Sequence, residues 1–376
     1  MREHVEEPRY VTTDDDTVYS LLSKRAARTP DDIIAEWQDD NTHQWRSATA
    51  TEMLSRVREV AKGLLGLGVK AGTMVLIYSP TCYEWGVADF ACAAIGAVVV
   101  PVYETDSARQ TAGIVEEVDP AIAFAGDFQR AQTLEQIRVN HPGMKYVFNF
   151  KADGLDAVVD FGHGVSDETL DAAIARIKAD DLLTVVYTSG STGKPKGAML
   201  SNRNYTHIVL NGYEILRGML YDDNRLLLFL PLAHCFARYV CIGGCGVVGY
   251  IPDAKRLLAD IRSFKPTYLL GVPRVFEKVY NAASQKAGAG IQGHIFAQSV
   301  KHFVKWSKDE QAGRGHSFIE RMRHSFYMAT VGKSIRSALG PNLKWLACGG
   351  APLNVDLAHF FNGMNDITFI QGYGMT

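Results

Sequence analysis

Short apolar runs recur along the chain and are separated by longer stretches in which apolar residues repeat every three or four positions. A short apolar run bounded by turn residues is typical of a buried strand, and the three-to-four spacing is typical of an amphipathic helix. Met53, Val57, Val60, Leu64 and Leu67 have the helical spacing. The predicted strands are 74–79, 97–103, 121–126, 146–150, 182–187, 226–232, 246–251, 268–272, 343–348 and 367–371.

This alternation of strands and helices predicts an α/β fold with largely parallel sheets. We expect a polar N-terminal segment at 1–16, a first αβ lobe at 17–181 and a second αβ lobe at 182–376. Glycine-rich breaks near residues 288 and 314 bound a helical stretch. Residues 281–338 are therefore predicted to form a helical insertion in the second lobe.

Composition narrows the class of protein. The chain has 376 residues, of which 47% are hydrophobic, and a formal net charge of −2, so it suits a globular protein and gives no reason to expect a nucleic-acid partner. Its 6 cysteines lie mostly in apolar runs, which predicts buried thiols in a reducing compartment. With no apolar signal core and no long apolar span, we expect a cytoplasmic protein, and peripheral membrane contact stays open.

A glycine- and hydroxyl-rich loop follows the predicted strand 182–187. Its residues are Thr188, Ser189, Gly190, Ser191, Thr192, Gly193, Lys194, Pro195, Lys196 and Gly197. Glycines let the backbone approach an anion, while hydroxyls, backbone N–H groups and lysines bind phosphate oxygens. A linker is disfavoured by the strand before the loop and the helix-like stretch from Ser201. A Walker loop needs Ser or Thr where Pro195 stands, and the glycine spacing of a dinucleotide fingerprint is absent.

The loop resembles the phosphate loop of the acyl-adenylate-forming, AMP-binding superfamily. Segments 229–234, 348–353 and 371–376 resemble further segments of that family in the same order. Segments 101–105 and 271–280 resemble its long-chain fatty acyl-CoA synthetase branch. The resemblance implies the large N-terminal domain of the adenylate-forming ligase fold.

The resemblance also implies an ATP site. The β- and γ-phosphates would be bound by Thr188, Ser189, Gly190, Ser191, Thr192, Gly193 and Lys194, with Thr188 also near Mg²⁺. The remaining nucleotide contacts would come from Gly349, Gly350, Ala351, Gln371, Gly372, Tyr373, Gly374, Met375 and Thr376. In this assignment the Tyr373 ring packs on adenine and the Thr376 hydroxyl meets the α-phosphate, whereas Cys348 stands where the family commonly has Ser or Thr.

The implied reaction is the ATP-dependent activation of a long-chain fatty acid to an acyl adenylate and then to acyl-CoA. His234, Lys194 and Thr376 are the candidate catalytic residues, and coenzyme A is the second substrate. The acyl chain is predicted to contact His234, Phe236, Tyr239, Gly271 and Val272, although ordinary core packing explains the last four nearly as well. Two alternatives stay open: a fatty acyl-AMP ligase that delivers to a carrier protein, and a nucleotide- or lipid-binding module without catalysis.

Family members continue with a glutamate, a ribose-binding aspartate and a small domain that carries a lysine. The resemblance therefore implies that this chain lacks the C-terminal domain and is inactive alone, with an apolar surface suited to a homodimer. In the predicted insertion, basic residues alternate with apolar ones, which favours a solvated helix face over a membrane surface. These residues are Arg314, Arg321, Arg323, Lys333, Ile319, Met322, Phe326 and Met328.

Overall fold

Strands and helices alternate along the folded chain as the apolar pattern predicts. The computed structural model describes residues 7–152, 154–188, 195–216, 219–220, 223–244, 246–252, 254–364, 367–374 and 376. The helices are α1 (Val18–Arg28), α2 (Ala50–Gly66), α3 (Tyr83–Ile95), α4 (Ala108–Val118), α5 (Phe128–Arg138), α6 (Asp156–Asp160), α7 (Asp167–Ile174), α8 (Asn202–Ile215), α9 (Cys235–Ile242), α10 (Leu257–Phe264), α11 (Pro273–Ala287), α12 (Ile291–Gln311), α13 (Phe318–Tyr327), α14 (Lys333–Leu339) and α15 (Val355–Asn362).

The strands are β1 (Ile33–Gln38), β2 (Trp45–Thr49), β3 (Met74–Tyr78), β4 (Val98–Val102), β5 (Ile122–Ala125), β6 (Tyr146–Asn149), β7 (Leu182–Thr188), β8 (Lys196–Ser201), β9 (Asn224–Leu228), β10 (Gly246–Tyr250), β11 (Tyr268–Gly271), β12 (Trp345–Cys348) and β13 (Thr368–Gln371). Every strand predicted from an apolar run is present, with its ends shifted. The sequence pattern missed β1, β2 and β8. Both β2 and β8 are largely solvent-accessible, so neither carries a continuous apolar run.

The first of two compact units comprises the described residues of Met1–Asp223, Phe229–Asp253 and Thr376. Its larger sheet has the strand order β6-β5-β3-β4-β7-β8, and all neighbours are parallel except β7 and β8. A second group of strands has β1 between β10, which is parallel to it, and β2, which is antiparallel. All five residues of β4 are buried, because helices and strands cover both faces of a parallel sheet.

The second unit comprises the described residues of Asn224–Leu228 and Ala254–Met375. Its four strands are parallel, in the order β13-β12-β11-β9. Helices α12, α13 and α14 occupy most of the predicted insertion, and a short π-helix at Met328–Gly332 joins α13 to α14. The α/β fold class with largely parallel sheets is therefore confirmed.

The division into units differs from the predicted lobes, which meet between residues 181 and 182. Strand β7, with which the predicted second lobe begins, pairs with β4 inside the larger sheet of the first unit. Thr184 strengthens this attachment, because its buried hydroxyl donates a hydrogen bond to the carbonyl oxygen of Val99 at 2.6 Å. The chain instead changes unit near residues 223, 228 and 253.

Helix α2 shows how local sequence sets an element. The Thr49 hydroxyl accepts a hydrogen bond from the Glu52 N–H, and the Glu52 carboxylate accepts one from the Thr49 N–H, so a capping box starts the helix. Met53, Val57 and Leu64 then form part of its buried face, as their spacing predicts. Among the described residues, no helix combines the length and apolar character needed to cross a bilayer.

A fully buried ion pair joins α3 to α9. The Arg238 guanidinium donates to the Asp89 carboxylate through Nε at 2.8 Å and Nη2 at 2.5 Å. The rings of Trp85 and Tyr205 lie 5.5 and 5.3 Å from the guanidinium carbon, so cation–π attraction adds to the pairing. Because a buried charge is costly without its partner, each member of this pair depends on the other.

Replacing Arg238 by Met should destabilise the first unit by about 3–5 kcal/mol, because the Asp89 carboxylate is left buried without a partner. The double variant Asp89→Leu/Arg238→Met should lose less than Arg238→Met alone, since it buries no charge. Urea denaturation followed by circular dichroism measures both. Arg138→Met, which breaks an exposed pair with Glu135, is the control and should change little. Equal losses in the single and double buried-pair variants would contradict the interpretation.

Candidate active site

The predicted phosphate loop connects two antiparallel strands. Thr188, the last residue of β7, is half-buried and pairs with Lys196, the first residue of β8. Both ends of the loop are therefore fixed by one ladder of backbone hydrogen bonds. The central residues lie outside the described residues, so their phosphate contacts stay a prediction; they are Ser189, Gly190, Ser191, Thr192, Gly193 and Lys194.

Close packing beside the loop requires a glycine. Gly197 lies opposite Tyr187, and a Cβ at position 197 would stand 2.6 Å from Cγ1 of the buried Val185. Burial raises the pKa of Tyr187 to about 12, with a smaller contribution from Glu117, so its ring stays neutral. The strand that carries Thr188 is therefore held on an apolar, close-packed surface.

His234 caps the N-terminus of α9. Its Nδ1 accepts a hydrogen bond from the Phe236 N–H at 3.2 Å, and its carbonyl accepts one from the Arg238 N–H at 3.1 Å. Because Nδ1 acts as an acceptor, the neutral ring carries its proton on Nε2. The hydrogen bond from the Phe236 backbone N–H therefore holds the half-buried imidazole of His234 against the first turn of α9.

Cys235 lies next to His234, and its Sγ is 3.5 Å from the Thr376 Oγ1. Burial raises the pKa of this thiol, but hydrogen bonds with His234 and Thr376 lower it more, so the pKa of Cys235 lies below its ordinary value. Burial, followed by the charges of Cys235 and Asp106, raises the pKa of Tyr103 to about 12. The structure thus brings the predicted residues His234 and Thr376 to one thiol that the sequence did not single out.

Three predicted segments meet at the carboxyl edge of the second unit's sheet. Cys348 at the end of β12 pairs with Gln371 at the end of β13, and the Gly372 N–H donates to the Cys348 carbonyl at 2.8 Å. On the other side, the Gly349 N–H donates to the carbonyl of Gly271 at 3.2 Å. Carboxyl edges of parallel strands are where ligands of α/β proteins bind.

The residues predicted to contact adenine are open to solvent. Gly350 is exposed and has a φ of 79°, which favours glycine, and a Cβ there would lie 3.6 Å from the Val272 Cγ1. The Tyr373 side chain is 92% exposed, which excludes the alternative that it is a core tyrosine. Ala351 and Gly374 are also exposed, whereas Met375 lies outside the described residues.

The predicted acyl-chain residues fall into two groups. Phe236 and Tyr239 are half-buried on α9 in the first unit, and a Cβ at Gly212 would stand 2.6 Å from the Tyr239 hydroxyl. Gly271 belongs to the second unit, where a Cβ would stand 3.0 Å from Phe276 Cζ. The contact with Phe276 shows that Gly271 packs against the core and leaves little surface there for an acyl chain. The predicted contact of Gly271 and Val272 with the acyl chain stays a prediction.

A cavity of about 190 Å³ lies at the C-terminal end of α9. Its lining is mainly apolar and includes Leu210, Ile242 and Val248, while Lys24, Arg25 and Arg28 contribute positive charge. The sequence pattern gave no signal for this cavity, because its lining comes from helices and strands that are distant along the chain.

Thr188 is the predicted magnesium ligand. A hydroxyl oxygen is a hard donor of the type that Mg²⁺ accepts, and its place at the carboxyl end of β7 suits an ion shared with phosphates. Within the described parts of the chain, no group of three or more His, Cys, Asp or Glu side chains is arranged to hold a metal ion. The assignment of Thr188 to magnesium therefore stays a prediction.

Comparison with known proteins identifies the family. A model of the family described as AMP-binding enzyme matches residues 22–376. The chain therefore belongs to the AMP-binding enzymes, and the family resemblance of its motifs is confirmed.

The curated relatives are longer than this chain. The long-chain-fatty-acid–CoA ligase FadD15 of Mycobacterium tuberculosis is 35% identical over 382 residues, which cover 100% of this chain and 63% of FadD15. Long chain acyl-CoA synthetase 1 of Arabidopsis thaliana is 29% identical, with 96% of this chain and 57% of that protein covered. The chain thus spans less than two thirds of the length of these relatives.

Solved structures show the same fold. The N-terminal domain of FACL13 from Mycobacterium tuberculosis matches with a TM-score of 0.69 and 19% identity, covering 96% of this chain and 76% of that one. A long-chain-fatty-acid-CoA ligase, FadD1 from Archaeoglobus fulgidus, gives a TM-score of 0.72 and 15% identity, with coverages of 98% and 67%. At these identities the likeness supports the fold alone.

The Cys235 thiol should be alkylated by iodoacetamide about tenfold faster than Cys82 near neutral pH, because a thiolate reacts and a thiol does not. Both residues are half-buried, but burial, with Glu84, raises the pKa of Cys82 well above its ordinary value. Since the Cys235 pKa is lowered, its rate should reach half its maximum at a pH below that of an ordinary thiol. Mass spectrometry of the labelled peptides across a pH series measures both rates.

Thr376→Val should move the Cys235 profile to higher pH by removing one hydrogen bond to the thiolate. An unchanged profile, or faster labelling of Cys82, would contradict the hydrogen-bonded arrangement.

Proposed function

We propose that this chain provides the part of a long-chain fatty acid ligase that binds ATP and the fatty acid, the two substrates that the enzyme joins as an acyl adenylate. In this proposal a protein of the relatives' full length completes the adenylation and then transfers the acyl group to coenzyme A. The observation that carries it is the 35% identity to FadD15 across the whole chain. It is supported by segments with the family's motifs, of which 348–351 and 371–373 meet at one sheet edge.

The nucleotide base would lie at the carboxyl edge of β12 and β13. The exposed ring of Tyr373 offers a stacking face for adenine, and the open backbone at Gly350 permits close approach of the base. The triphosphate would be bound by the loop after Thr188, whose lysine and backbone N–H groups supply positive charge. A magnesium ion would be held by the Thr188 hydroxyl and by phosphate oxygens, and it would offset part of the phosphate charge.

The chemistry joins two anions, so charge must be offset locally. A carboxylate oxygen of the fatty acid attacks the α-phosphorus, the bond from that phosphorus to the β-phosphate bridging oxygen breaks, and pyrophosphate leaves with the electron pair. The Thr376 hydroxyl would donate to an α-phosphate oxygen, and the Nε2–H of His234 would donate to the carboxylate or phosphate. Fixed donors of this kind favour the transition state because they need no reorganisation.

Cys235 would position Thr376 rather than act as a nucleophile. Its thiol contacts the Thr376 hydroxyl and is itself fixed beside the His234 cap.

In the second step the sulfur of coenzyme A attacks the acyl carbon, AMP leaves, and the thiol proton passes to solvent or base. The free thiols of the described cysteines support a reducing compartment such as the cytoplasm.

Tyr373→Ala should weaken ATP binding about tenfold without lowering thermal stability, because a stacked base loses its aromatic partner while the core is unchanged. Lys194→Ala should weaken it at least as much by removing a phosphate contact. Isothermal titration with ATP and magnesium measures these affinities, with Lys70→Ala as an exposed control. If either site variant binds ATP as tightly as the control, the corresponding assignment is incorrect.

A protein of the relatives' full length that contains this chain should release pyrophosphate from ATP when given a long-chain fatty acid, and mass spectrometry should then detect acyl-CoA once coenzyme A is added. Amino acids or aromatic acids as the sole effective substrates would overturn the long-chain assignment. Acyl adenylate without acyl-CoA, discharged by a carrier protein, would favour the carrier-dependent ligase. ATP binding without pyrophosphate release would favour a binding module.

A further inference from the structure

Thr81 forms a buried hydrogen bond with the segment that leads to His234. Its side chain is 1% exposed, and its hydroxyl donates to the carbonyl oxygen of Leu230 at 2.6 Å. Thr81 lies between β3 and α3, Leu230 lies between β9 and α9, and both belong to the first unit. Since Leu230 lies beyond the end of β9, its buried carbonyl takes its donor from a side chain, and a buried hydroxyl needs an acceptor. The two groups satisfy each other.

A second contact joins the same two parts of the chain. Asp89 of α3 holds Arg238 of α9 through the bidentate ion pair. The hydrogen-bonded pair and the ion pair are each 149 residues apart in the sequence. The two contacts are therefore equally spaced along both partners, and His234 lies midway in the sequence between Leu230 and Arg238. The turn that carries the imidazole is thus held on both sides by one stretch of the chain, from Thr81 to Asp89.

The chain between Leu230 and His234 has little freedom to move. The ring of Pro231 fixes its own φ, and the Pro231 carbonyl accepts a hydrogen bond from the His234 N–H at 3.0 Å. Leu232 and Ala233, which lie within this turn, are buried. A displacement of Leu230 is therefore transmitted to the imidazole, whose Nδ1 caps α9.

We propose that Thr81 is a positioning residue for His234. The inference rests on the proposed function, in which the Nε2–H of His234 donates to the carboxylate or phosphate. Thr81 acts through the Leu230 carbonyl and contacts neither substrate. Its hydroxyl fixes the chain where it enters the turn, as the ion pair fixes it one turn into α9. A donor that is fixed before the reaction needs no reorganisation during it, so an anchor away from the substrates contributes to the rate.

The test follows the position of His234 through the neighbouring thiol of Cys235. Burial raises the pKa of this thiol, but hydrogen bonds with His234 and Thr376 lower it more. Thr81→Val removes the donor while nearly keeping the side-chain shape, so the turn loosens and these hydrogen bonds weaken. Alkylation of Cys235 by iodoacetamide near neutral pH should slow by about threefold, and its half-maximal rate should move up by about half a pH unit. Thr81→Ser, which keeps the hydroxyl, should restore the unaltered profile.

The matched control is Thr184→Val. Thr184 is also buried, and its hydroxyl donates to the Val99 carbonyl at 2.6 Å, so this variant loses an equivalent hydrogen bond between β7 and β4. Both valine variants should lower the thermal midpoint, and only Thr81→Val should change the Cys235 profile. An unchanged profile in Thr81→Val, or equal shifts in the two valine variants, would overturn the proposal, because the hydrogen bond of Thr81 would then serve stability alone.

If Thr81→Val does not fold, Thr81→Ala replaces it, because the smaller side chain leaves room for a water that donates to the Leu230 carbonyl. The same shift of the Cys235 profile is expected, since a water does not fix the turn. No shift would again reject the positioning role.

In a protein of the relatives' full length that contains this chain, Thr81→Val should lower kcat for pyrophosphate release by about tenfold and leave KM for ATP nearly unchanged. An unchanged kcat would contradict the proposal. If the unaltered protein releases no pyrophosphate, the proposed function alone is rejected, because the thiol profile reports the position of His234 without catalysis.

Discussion

Parallel pairing of strands places their carboxyl ends at one edge of a sheet, and the arrangement of the candidate site depends on that constraint. In the second unit, β11, β12 and β13 end side by side, so Gly271, Gly349 and Gly372 join one hydrogen-bonded edge. These residues are far apart in the sequence, and the pairing of neighbouring strands brings them close together. The sheet therefore brings the candidate residues together at its strand ends, while the strand interiors supply the core.

Helix α9 applies a second constraint in the first unit. Its first turn contains both the His234 cap and Arg238, which is locked to Asp89 on α3. A bidentate pair in a dry core tolerates little displacement, because any loosening exposes charge to an apolar environment. The imidazole is thus positioned by a buried electrostatic contact one turn away, and Cys235 extends that rigidity to the Thr376 hydroxyl.

Sequence patterns predict the strands that consist of a short apolar run, such as the fully buried β4. They fail for β2 and β8, whose residues are mostly accessible and leave a weak apolar signal. The lobe boundary predicted between residues 181 and 182 also differs from the division into units, because the apolar pattern along the chain does not indicate which sheet β7 joins. The apolar pattern along the chain predicts where strands form, but it does not predict which strands pair with one another in a sheet.

The candidate site likewise contains residues that the sequence predicts and contacts that only the folded structure reveals. Residues inside family-like segments, such as Gly350 and Tyr373, can be named from the sequence. The Asp89–Arg238 pair joins positions 149 apart. Asp89 gives a faint signal as an acid in the otherwise apolar middle of α3. The contact of Cys235 with Thr376 has no periodic or compositional signature, because it exists only after the chain has folded.

Because Tyr373 is almost completely exposed, its side chain can suit a ligand without also having to stabilise the fold, and these two requirements usually compete in proteins. A side chain that contributes little to the core is free to change without endangering folding, so selection can act on it for ligand preference alone. Its neighbours Cys348 and Gly349 are buried and lack that freedom. The edge thus places a freely substitutable ring beside a tightly packed support, so Tyr373 can be exchanged while the sheet stays intact.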